Sequence, residues 1–196
     1  EGVGTDMIKT MPDRQPGMYL IRNAPDGERE FYYWRKEARA RELFAEKQCT
    51  DELIKELKKC EYVYLSGITL AIISDHSRMV LFRFLKEYRK QGGKVCFDIN
   101  YRPRLWEDEQ DKAQYVMCEM MEQTDMALLT LDDEELLWGD GSVEATIERY
   151  KDFDIAELVL KRGADEVVVV ANGERLSVPV AKVEGVVDTT GAGDSF

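Results

Sequence analysis

The residue types best suited to chemistry lie in residues 188–194, which read DTTGAGD. Gly191, Ala192 and Gly193 are small enough to let the backbone pass close to a ligand. If a helix begins there, its free N–H groups form an anion site that suits the phosphate charge built up during group transfer. The carboxylate of Asp194 could then accept the proton of a hydroxyl that attacks the phosphate. On spacing alone, a plain loop with a capping aspartate explains the same residues equally well.

A second candidate for ligand binding is a pair of aromatic-rich segments near the start of the chain. Residues 17–24 and 29–35 alternate as two strands, and the sequence PDG at 25–27 is a strong turn signal between them. A two-stranded ribbon is marginal in water by itself. We therefore expect contacts with a ligand or with a second subunit to stabilise the hairpin over 17–36.

The residues of the second strand divide between its two faces. Alternation places Tyr33 and Arg35 on one face and Tyr32 and Trp34 on the other. Tyrosine offers an apolar ring and a hydroxyl, and arginine offers a planar fork for carboxylates. The face of Tyr33 and Arg35 therefore suits a small anionic polyol. Packing against a dimer partner is the alternative for the aromatic residues, and both roles can hold at once.

The rest of the chain alternates extended and helical patterns. The predicted strands are 62–67, 94–98, 126–129, 158–160, 167–170 and 176–178. The predicted helices are 50–60, 74–91, 108–123, a short one over 132–139 and another near 142–152. This rhythm predicts a mostly parallel α/β sheet with helices on its faces. Such sheets bind ligands outside the carboxyl ends of their strands.

The composition predicts a globular protein and argues against a nucleic-acid partner. Of the 196 residues, 44% are hydrophobic and 34% are charged, and the formal net charge is -12. A nucleic-acid partner would need a basic face, whereas a small anionic substrate needs only a few local arginines. No run approaches the ~20 apolar residues of a membrane span, so no membrane partner is expected.

The cysteines and the two ends of the chain give further expectations. Cys49, Cys60, Cys96 and Cys118 form no CxxC pair and no ligand spacing with a histidine. We expect reduced thiols in the cytoplasm rather than a zinc site. We also expect no signal peptide. Because the chain opens in mid-pattern and stops within a glycine turn, we interpret it as an internal piece of a longer protein.

The order of residues over 188–196 is more specific than their spacing. The segment DTTGAGDSF resembles the signature of the ribokinase-like carbohydrate kinases, the PfkB family. Further stretches similar to that family lie in the same order at 17–21, 31–35, 65–68, 97–106, 129–134 and 161–165. The resemblance implies a three-layer α/β/α sheet, mostly parallel, with a small β-ribbon lid at 17–36. It identifies 1–196 as a partial kinase domain.

The resemblance also implies a reaction. This is the ATP-dependent phosphorylation of 2-dehydro-3-deoxy-D-gluconate on its terminal hydroxyl, with Mg2+ bridging the phosphates of ATP. The ribbon would close over the keto-deoxy sugar acid. A homo-oligomer is expected because the ribbon has no core of its own. A kinase of fructose- or ribose-type sugars and an inactive binding fragment are the alternatives.

Roles for individual residues come from the same resemblance. Asp194 would be the proton acceptor, and the amides of Gly191, Ala192 and Gly193 would form the anion hole. The expected substrate contacts are Tyr19, Tyr33, Trp34, Arg35, Arg102 and Asp194. The expected ATP contacts are Asn100, Tyr101, Arg102, Lys161, Arg162, Gly163, Ala164, Asp165, Glu166, Gly191, Ala192, Gly193 and Asp194.

Two stretches depart from the family's pattern. Where many members carry Asn-x-x-Glu near magnesium, this chain has Thr130 and Asp133. The Asp133 carboxylate could hold a magnesium-bound water, but acids also interact favourably with the dipole at a helix N-terminus. No metal ligand is therefore assigned. After Lys161, Asp165 and Glu166 occupy the region where many members have a glycine, which favours a backbone contact for Glu166 over a side-chain contact.

Overall fold

Two sheets organise the chain in the computed structural model, which describes residues 2, 4–8, 15–23, 29–107 and 109–181. The smaller sheet is the antiparallel ribbon of β1 (Met18–Asn23) and β2 (Arg29–Trp34). The predicted pair of strands is thus confirmed to within one residue at each end. The predicted turn between them lies outside the described residues.

Among the described residues, the larger sheet has six strands in sequential order. Its first four strands are parallel, and each of the last two runs antiparallel to the strand before it. The strands are β3 (Tyr62–Ser66), β4 (Lys94–Asp98), β5 (Met126–Thr130), β6 (Glu157–Lys161), β7 (Val167–Ala171) and β8 (Glu174–Val178). All six predicted strands are confirmed, and so is the mostly parallel α/β fold class.

Helices precede and connect the parallel strands. They are α1 (Lys47–Leu57), α2 (Gly67–Ile72), α3 (Asp75–Lys90), α4 (Gln110–Met121), α5 (Leu131–Trp138) and α6 (Val143–Tyr150), with short 3-10 turns at Arg39–Glu42 and Pro103–Trp106. The five predicted helices are confirmed, whereas α2 is not expected from the sequence pattern. Among the described helices, none combines the length and apolar character needed to cross a membrane.

Helix α2 forms where the sequence pattern predicts only a small-residue turn, because Ser66 caps it. The Ser66 Oγ atom accepts a hydrogen bond from the Ile68 N–H at 3.3 Å, which satisfies one of the free donors at the helix start. The next residue, Gly67, is packed so closely that a Cβ atom there would stand 1.9 Å from the carbonyl oxygen of Ile99. Only glycine fits, and this contact sets the position of the segment after β4.

The two faces of the parallel sheet differ in burial. Val63, Phe97 and Leu129 are between 0% and 5% exposed, and each such side chain contributes roughly 1.5–3 kcal/mol when it leaves water. Their alternate neighbours Tyr64 and Leu128 are exposed and half-buried, respectively. Right-handed crossovers between strands in sequential order place their helices on the same side of a sheet. The buried face is therefore the one that the crossover helices cover.

The amino ends of β4 and β5 are joined by one carboxylate. Asp125 accepts hydrogen bonds from Arg89 Nε at 3.1 Å and from the Val95 N–H at 2.9 Å, and Lys94 Nζ lies 3.3 Å away. Because Arg89 lies in the last turn of α3, this cluster ties the helix to the sheet. Structural ion pairs thus occupy the amino end of the sheet. A ligand site is expected at the opposite, carboxyl edge.

Candidate active site at the carboxyl edge of the sheet

Each of the four parallel strands ends in a polar residue: Ser66, Asp98, Thr130 and Lys161. Ser66 pairs with Asp98, which in turn pairs with Leu128, two positions before Thr130. Thr130 pairs with Lys161. Because side chains alternate along a strand, all four polar side chains belong to the same face. They form a polar row at the edge where parallel α/β sheets bind their ligands.

Asp98 is the most deeply buried member of the polar row, at 3% exposed. The Tyr64 hydroxyl donates to its Oδ2 atom at 3.2 Å, and Lys161 Nζ lies 3.5 Å from the same oxygen. Lys161 reaches across β5, and 12% of its side chain is exposed. The ammonium expected to contact ATP thus faces a buried carboxylate, whose negative charge it offsets. From the sequence, Asp98 at the end of a strand is either a functional residue or an orienting partner of Arg102 or Arg104; its described partners are instead Tyr64 and Lys161.

The segment after β4 brings three expected ATP contacts to this edge. Asn100 has a φ of 31°, in the left-handed region that asparagine tolerates. Its buried Oδ1 atom has no hydrogen-bond partner among the described residues, so it fits a donor group of a ligand. Tyr101 is 2% exposed and its ring lies in the core. The Arg102 side chain is 52% exposed, so its guanidinium is accessible to a ligand.

A carboxylate from helix α5 orients Arg102. The Arg102 Nη1 atom lies 3.1 Å from Asp133 Oδ1, and it also donates to the Tyr101 carbonyl oxygen at 2.7 Å. The Asp133 side chain is 11% exposed. Burial raises the pKa of Asp133, and the positive charge of Arg102 opposes that rise. The pair joins the segment after β4 to the first turn of α5.

The ribbon groups three of its four expected sugar contacts. Tyr19 and Tyr33 are direct cross-strand partners, and their ring centroids lie 6.4 Å apart. The Arg35 Cζ atom lies 3.8 Å from the centroid of the Tyr33 ring, within the range of a cation–π interaction. Trp34 pairs with Met18, so it occupies the other face of the ribbon. The structure therefore does not bring Trp34 together with the other three.

The other face of the ribbon is apolar and exposed. Its side chains at Met18, Leu20, Tyr32 and Trp34 are between 43% and 59% exposed. The expected homo-oligomer would bury such a face, and it stays a prediction.

The remaining expected ATP contacts among the described residues lie in the turn between β6 and β7. Gly163 has a φ of 61°, a conformation that glycine adopts without strain. The Asp165 N–H donates to the Arg162 carbonyl oxygen at 3.0 Å. The exposed side chains of this turn are Ala164, Asp165 and Glu166. Because the turn directly follows Lys161, it lies at the same edge as the polar row.

The glycine-rich segment lies outside the described residues. The turn 191–193 and Asp194 belong to 182–196, so their expected roles stay predictions. In the part of the chain that the structure describes, no group of three or more His, Cys, Asp or Glu side chains is placed to hold a metal ion. Asp133, the acid considered in that connection, is seen as the partner of Arg102.

Comparisons with known proteins show the family of the chain. A family model described as pfkB family carbohydrate kinase matches residues 1–196. Two curated proteins named 2-dehydro-3-deoxygluconokinase are similar over the whole chain: that of Escherichia coli K12 is 48% identical and that of Dickeya dadantii is 46% identical, each over 199 residues. The chain spans 64% of the length of each of these relatives.

A solved structure shows the same fold. It is a crystal structure of an Escherichia coli protein described as ribokinase II, in complex with ATP and Mg2+. It superposes with a TM-score of 0.76 at 25% sequence identity, over 94% of this chain and 56% of the other. The chain therefore belongs to the PfkB family of carbohydrate kinases.

Proposed function

We propose that the intact protein transfers the γ-phosphoryl group of ATP to the terminal hydroxyl of 2-dehydro-3-deoxy-D-gluconate. The reaction would yield the 6-phosphate of the sugar acid and ADP. The relatives from Escherichia coli and Dickeya dadantii carry the name of this activity at 48% and 46% identity. Because this chain spans 64% of their length, the reaction is proposed for the intact protein.

The observation that carries the proposal is the stack of Arg35 on Tyr33, opposite Tyr19. The guanidinium carbon lies 3.8 Å from the centre of the Tyr33 ring. Stacking on this ring orients the guanidinium group. A fork held in this way suits the carboxylate of a sugar acid. The two tyrosines add apolar ring surface and hydroxyls for the carbon chain and its hydroxyl groups. A neutral sugar would have no group to match Arg35.

Two described features fit the nucleotide. The buried Oδ1 atom of Asn100, without a partner among the described residues, could accept a hydrogen bond from ATP. The half-exposed guanidinium of Arg102 could approach phosphate oxygens, which arginine binds well. Mg2+ bound together with ATP would neutralise charge on the phosphates.

The chemical step is assigned from the resemblance. The Asp194 carboxylate would accept the proton of the terminal hydroxyl while that oxygen bonds to the γ-phosphorus. The bond between the γ-phosphorus and the bridging oxygen would break, and ADP would leave. The amides of the glycine turn 191–193 would stabilise the negative charge on the transferred group.

A coupled assay of ADP release tests the substrate. The intact protein, ATP and Mg2+ are combined with the sugar acid, with fructose or with ribose. We expect turnover with the sugar acid and a kcat/KM lower by roughly 100-fold or more for the neutral sugars, because Arg35 would be left unmatched. A preference for fructose or ribose would overturn the substrate and favour another sugar kinase of the family. No ADP release with any sugar would favour a protein that binds its ligands without catalysing phosphoryl transfer.

A further inference from the structure

Glu134, the residue after Asp133, is the most completely buried acid described, at 0% exposed. Its Oε2 atom lies 2.5 Å from Arg149 Nη1, and its Oε1 atom accepts a hydrogen bond from the Tyr150 hydroxyl at 3.0 Å. The Trp138 Nε1 atom donates to the same hydroxyl at 3.2 Å. Both carboxylate oxygens are thus engaged by side chains of α6. We call Glu134, Trp138, Arg149 and Tyr150 the α5–α6 clamp.

Stability alone is a poor reason for such a clamp. Removing a carboxylate and a guanidinium from water costs about as much free energy as their attraction returns, and apolar residues of similar volume often stabilise a protein as well or better. A fully satisfied buried polar network instead favours one arrangement of the elements that carry it. The α5–α6 clamp therefore specifies how α5 lies against α6.

The orientation of α5 matters because Asp133 lies on its first turn. Successive residues of an α-helix are about 100° apart around the axis, so Glu134 faces α6 while Asp133 faces Arg102, at 3.1 Å. Helix α5 has 8 residues, and the Thr130 side chain makes no capping hydrogen bond in the described structure. The contact made in the first turn by a fully buried side chain is that of Glu134 with Arg149 and Tyr150.

We propose that Glu134 is a positioning residue for phosphoryl transfer: through the α5–α6 clamp it sets the first turn of α5 and so holds Asp133 against Arg102. This inference rests on the proposed function, in which the Arg102 guanidinium approaches the phosphate oxygens of ATP. Displacement of α5 would move the Asp133 carboxylate away from Arg102, and the guanidinium would lose its orientation. Small displacements of an orienting group are costly for turnover.

Glu134→Gln tests the inference in the intact protein. Glutamine keeps the shape of the side chain and removes the charge that pairs with Arg149. We expect kcat to fall roughly 10- to 100-fold with little change in the KM of the sugar acid, in protein that is folded by circular dichroism. Glu148→Gln, which removes an exposed carboxylate of α6 that pairs with Lys151, is the matched control and should leave kcat unchanged.

A double-mutant cycle separates positioning from a merely structural role. If Glu134 acts through Asp133, then Glu134→Gln combined with Asp133→Asn lowers kcat by less than the product of the two single effects. Independent, multiplicative effects, or a normal kcat for folded Glu134→Gln, would overturn the inference. If Glu134→Gln does not fold, Tyr150→Phe removes only the hydroxyl contact and is expected to lower kcat in the same direction. A wild-type protein that fails to phosphorylate the sugar acid would instead count against the proposed function, and the cycle is then run with the sugar it does accept.

Discussion

The Lys161 ammonium lies 3.5 Å from the Asp98 carboxylate, although strand β5 separates the two strands that carry them. Both side chains are largely withdrawn from water, with 12% and 4% of their surface exposed. If one partner of such a buried ion pair is removed, the other charge stays buried without compensation, and the folded protein is destabilised. The polar row at the carboxyl edge therefore depends on this pair.

Replacement of Lys161 by methionine should lower the free energy of unfolding by roughly 1–3 kcal/mol, because the buried Asp98 carboxylate loses the cation that faces it. Urea denaturation of the two proteins measures the difference. Lys112→Met, at an exposed ion pair with Asp75, is the matched control and should change stability by less than about 0.5 kcal/mol. Equal losses of unfolding free energy in both variants would show that the buried pair contributes no more to stability than the exposed pair.

Gly67→Ala should destabilise the protein and weaken nucleotide binding together. The added Cβ would meet the Ile99 carbonyl oxygen at 1.9 Å, so the segment leading to Asn100 and Arg102 must move. We expect a loss of roughly 1–3 kcal/mol in the free energy of unfolding, measured by thermal denaturation. Gly17→Ala, where the nearest atom lies at 3.4 Å, should have little effect. An unchanged Kd for ATP in folded Gly67→Ala would contradict the role of this contact.

Arg35→Lys should raise the KM for the sugar acid about 10-fold or more, because an ammonium lacks the planar fork and stacks less well on Tyr33. Stability should change little, since the ribbon contacts of Arg35 are largely local. Steady-state kinetics with the sugar acid measures the effect, and Lys36→Gln, on the exposed neighbour, is the control. A KM that stays at the wild-type value would remove Arg35 from the sugar site.

Asp194→Asn should lower kcat by roughly 10²- to 10⁴-fold, the usual contribution of a positioned proton acceptor. Asparagine has nearly the same shape, so the Kd values of ATP and of the sugar acid should stay within a few-fold. Isothermal titration and the ADP-release assay measure the two quantities separately. Asp152→Asn, at an exposed acid, should leave both unchanged. Turnover near the wild-type level in Asp194→Asn would reject the proton-acceptor role.

The stability of the folded protein should depend on pH through Glu134. Burial raises the pKa of this carboxyl from its ordinary 4.5 to about 7; Arg149 and Tyr150 oppose the rise, and the neighbouring Asp133 adds to it. Between these two pH values the folded protein holds a proton that the unfolded chain has released. Folding is therefore favoured as the pH falls through 7, and this contribution is complete below 4.5.

Glu134→Gln isolates this effect, because glutamine does not titrate. The free energy of unfolding of the wild type minus that of Glu134→Gln should rise as the pH falls from about 8 to about 5. Urea denaturation of both proteins at several pH values measures the difference. A difference that is independent of pH would contradict the raised pKa.

Local patterns predict most of the elements. Helices α3 and α4 begin and end within two residues of the bounds expected from their apolar stripes, because such stripes need only neighbouring residues. Helix α1 spans Lys47–Leu57 rather than 50–60. Thr50 and Asp51 are residue types that cap helices, and the pattern predicts one of them as the cap; this is wrong, since the helix begins after Glu46, which makes no side-chain cap. Caps are weak signals when tertiary packing supplies the stabilisation.

Part of the candidate site follows from the sequence in the same way. Alternation along β2 is enough to place Tyr33 and Arg35 on one face. The family resemblance implies that Asn100 and Arg102 belong to the site. The partners of Asp98 do not follow, because Tyr64 and Lys161 lie on other strands. Which strand neighbours β4, and in which register, is decided by the packing of the whole sheet.

The amino-acid sequence by itself determined the family, the succession of strands and helices, and the face of the ribbon that carries Tyr33 and Arg35. Only the tertiary structure decided which charges are buried together, Lys161 with Asp98 and Glu134 with Arg149. The physical reason is that desolvation depends on segments far apart along the chain. Spacing along the chain does not show which of the 39 acidic residues are desolvated when the protein folds.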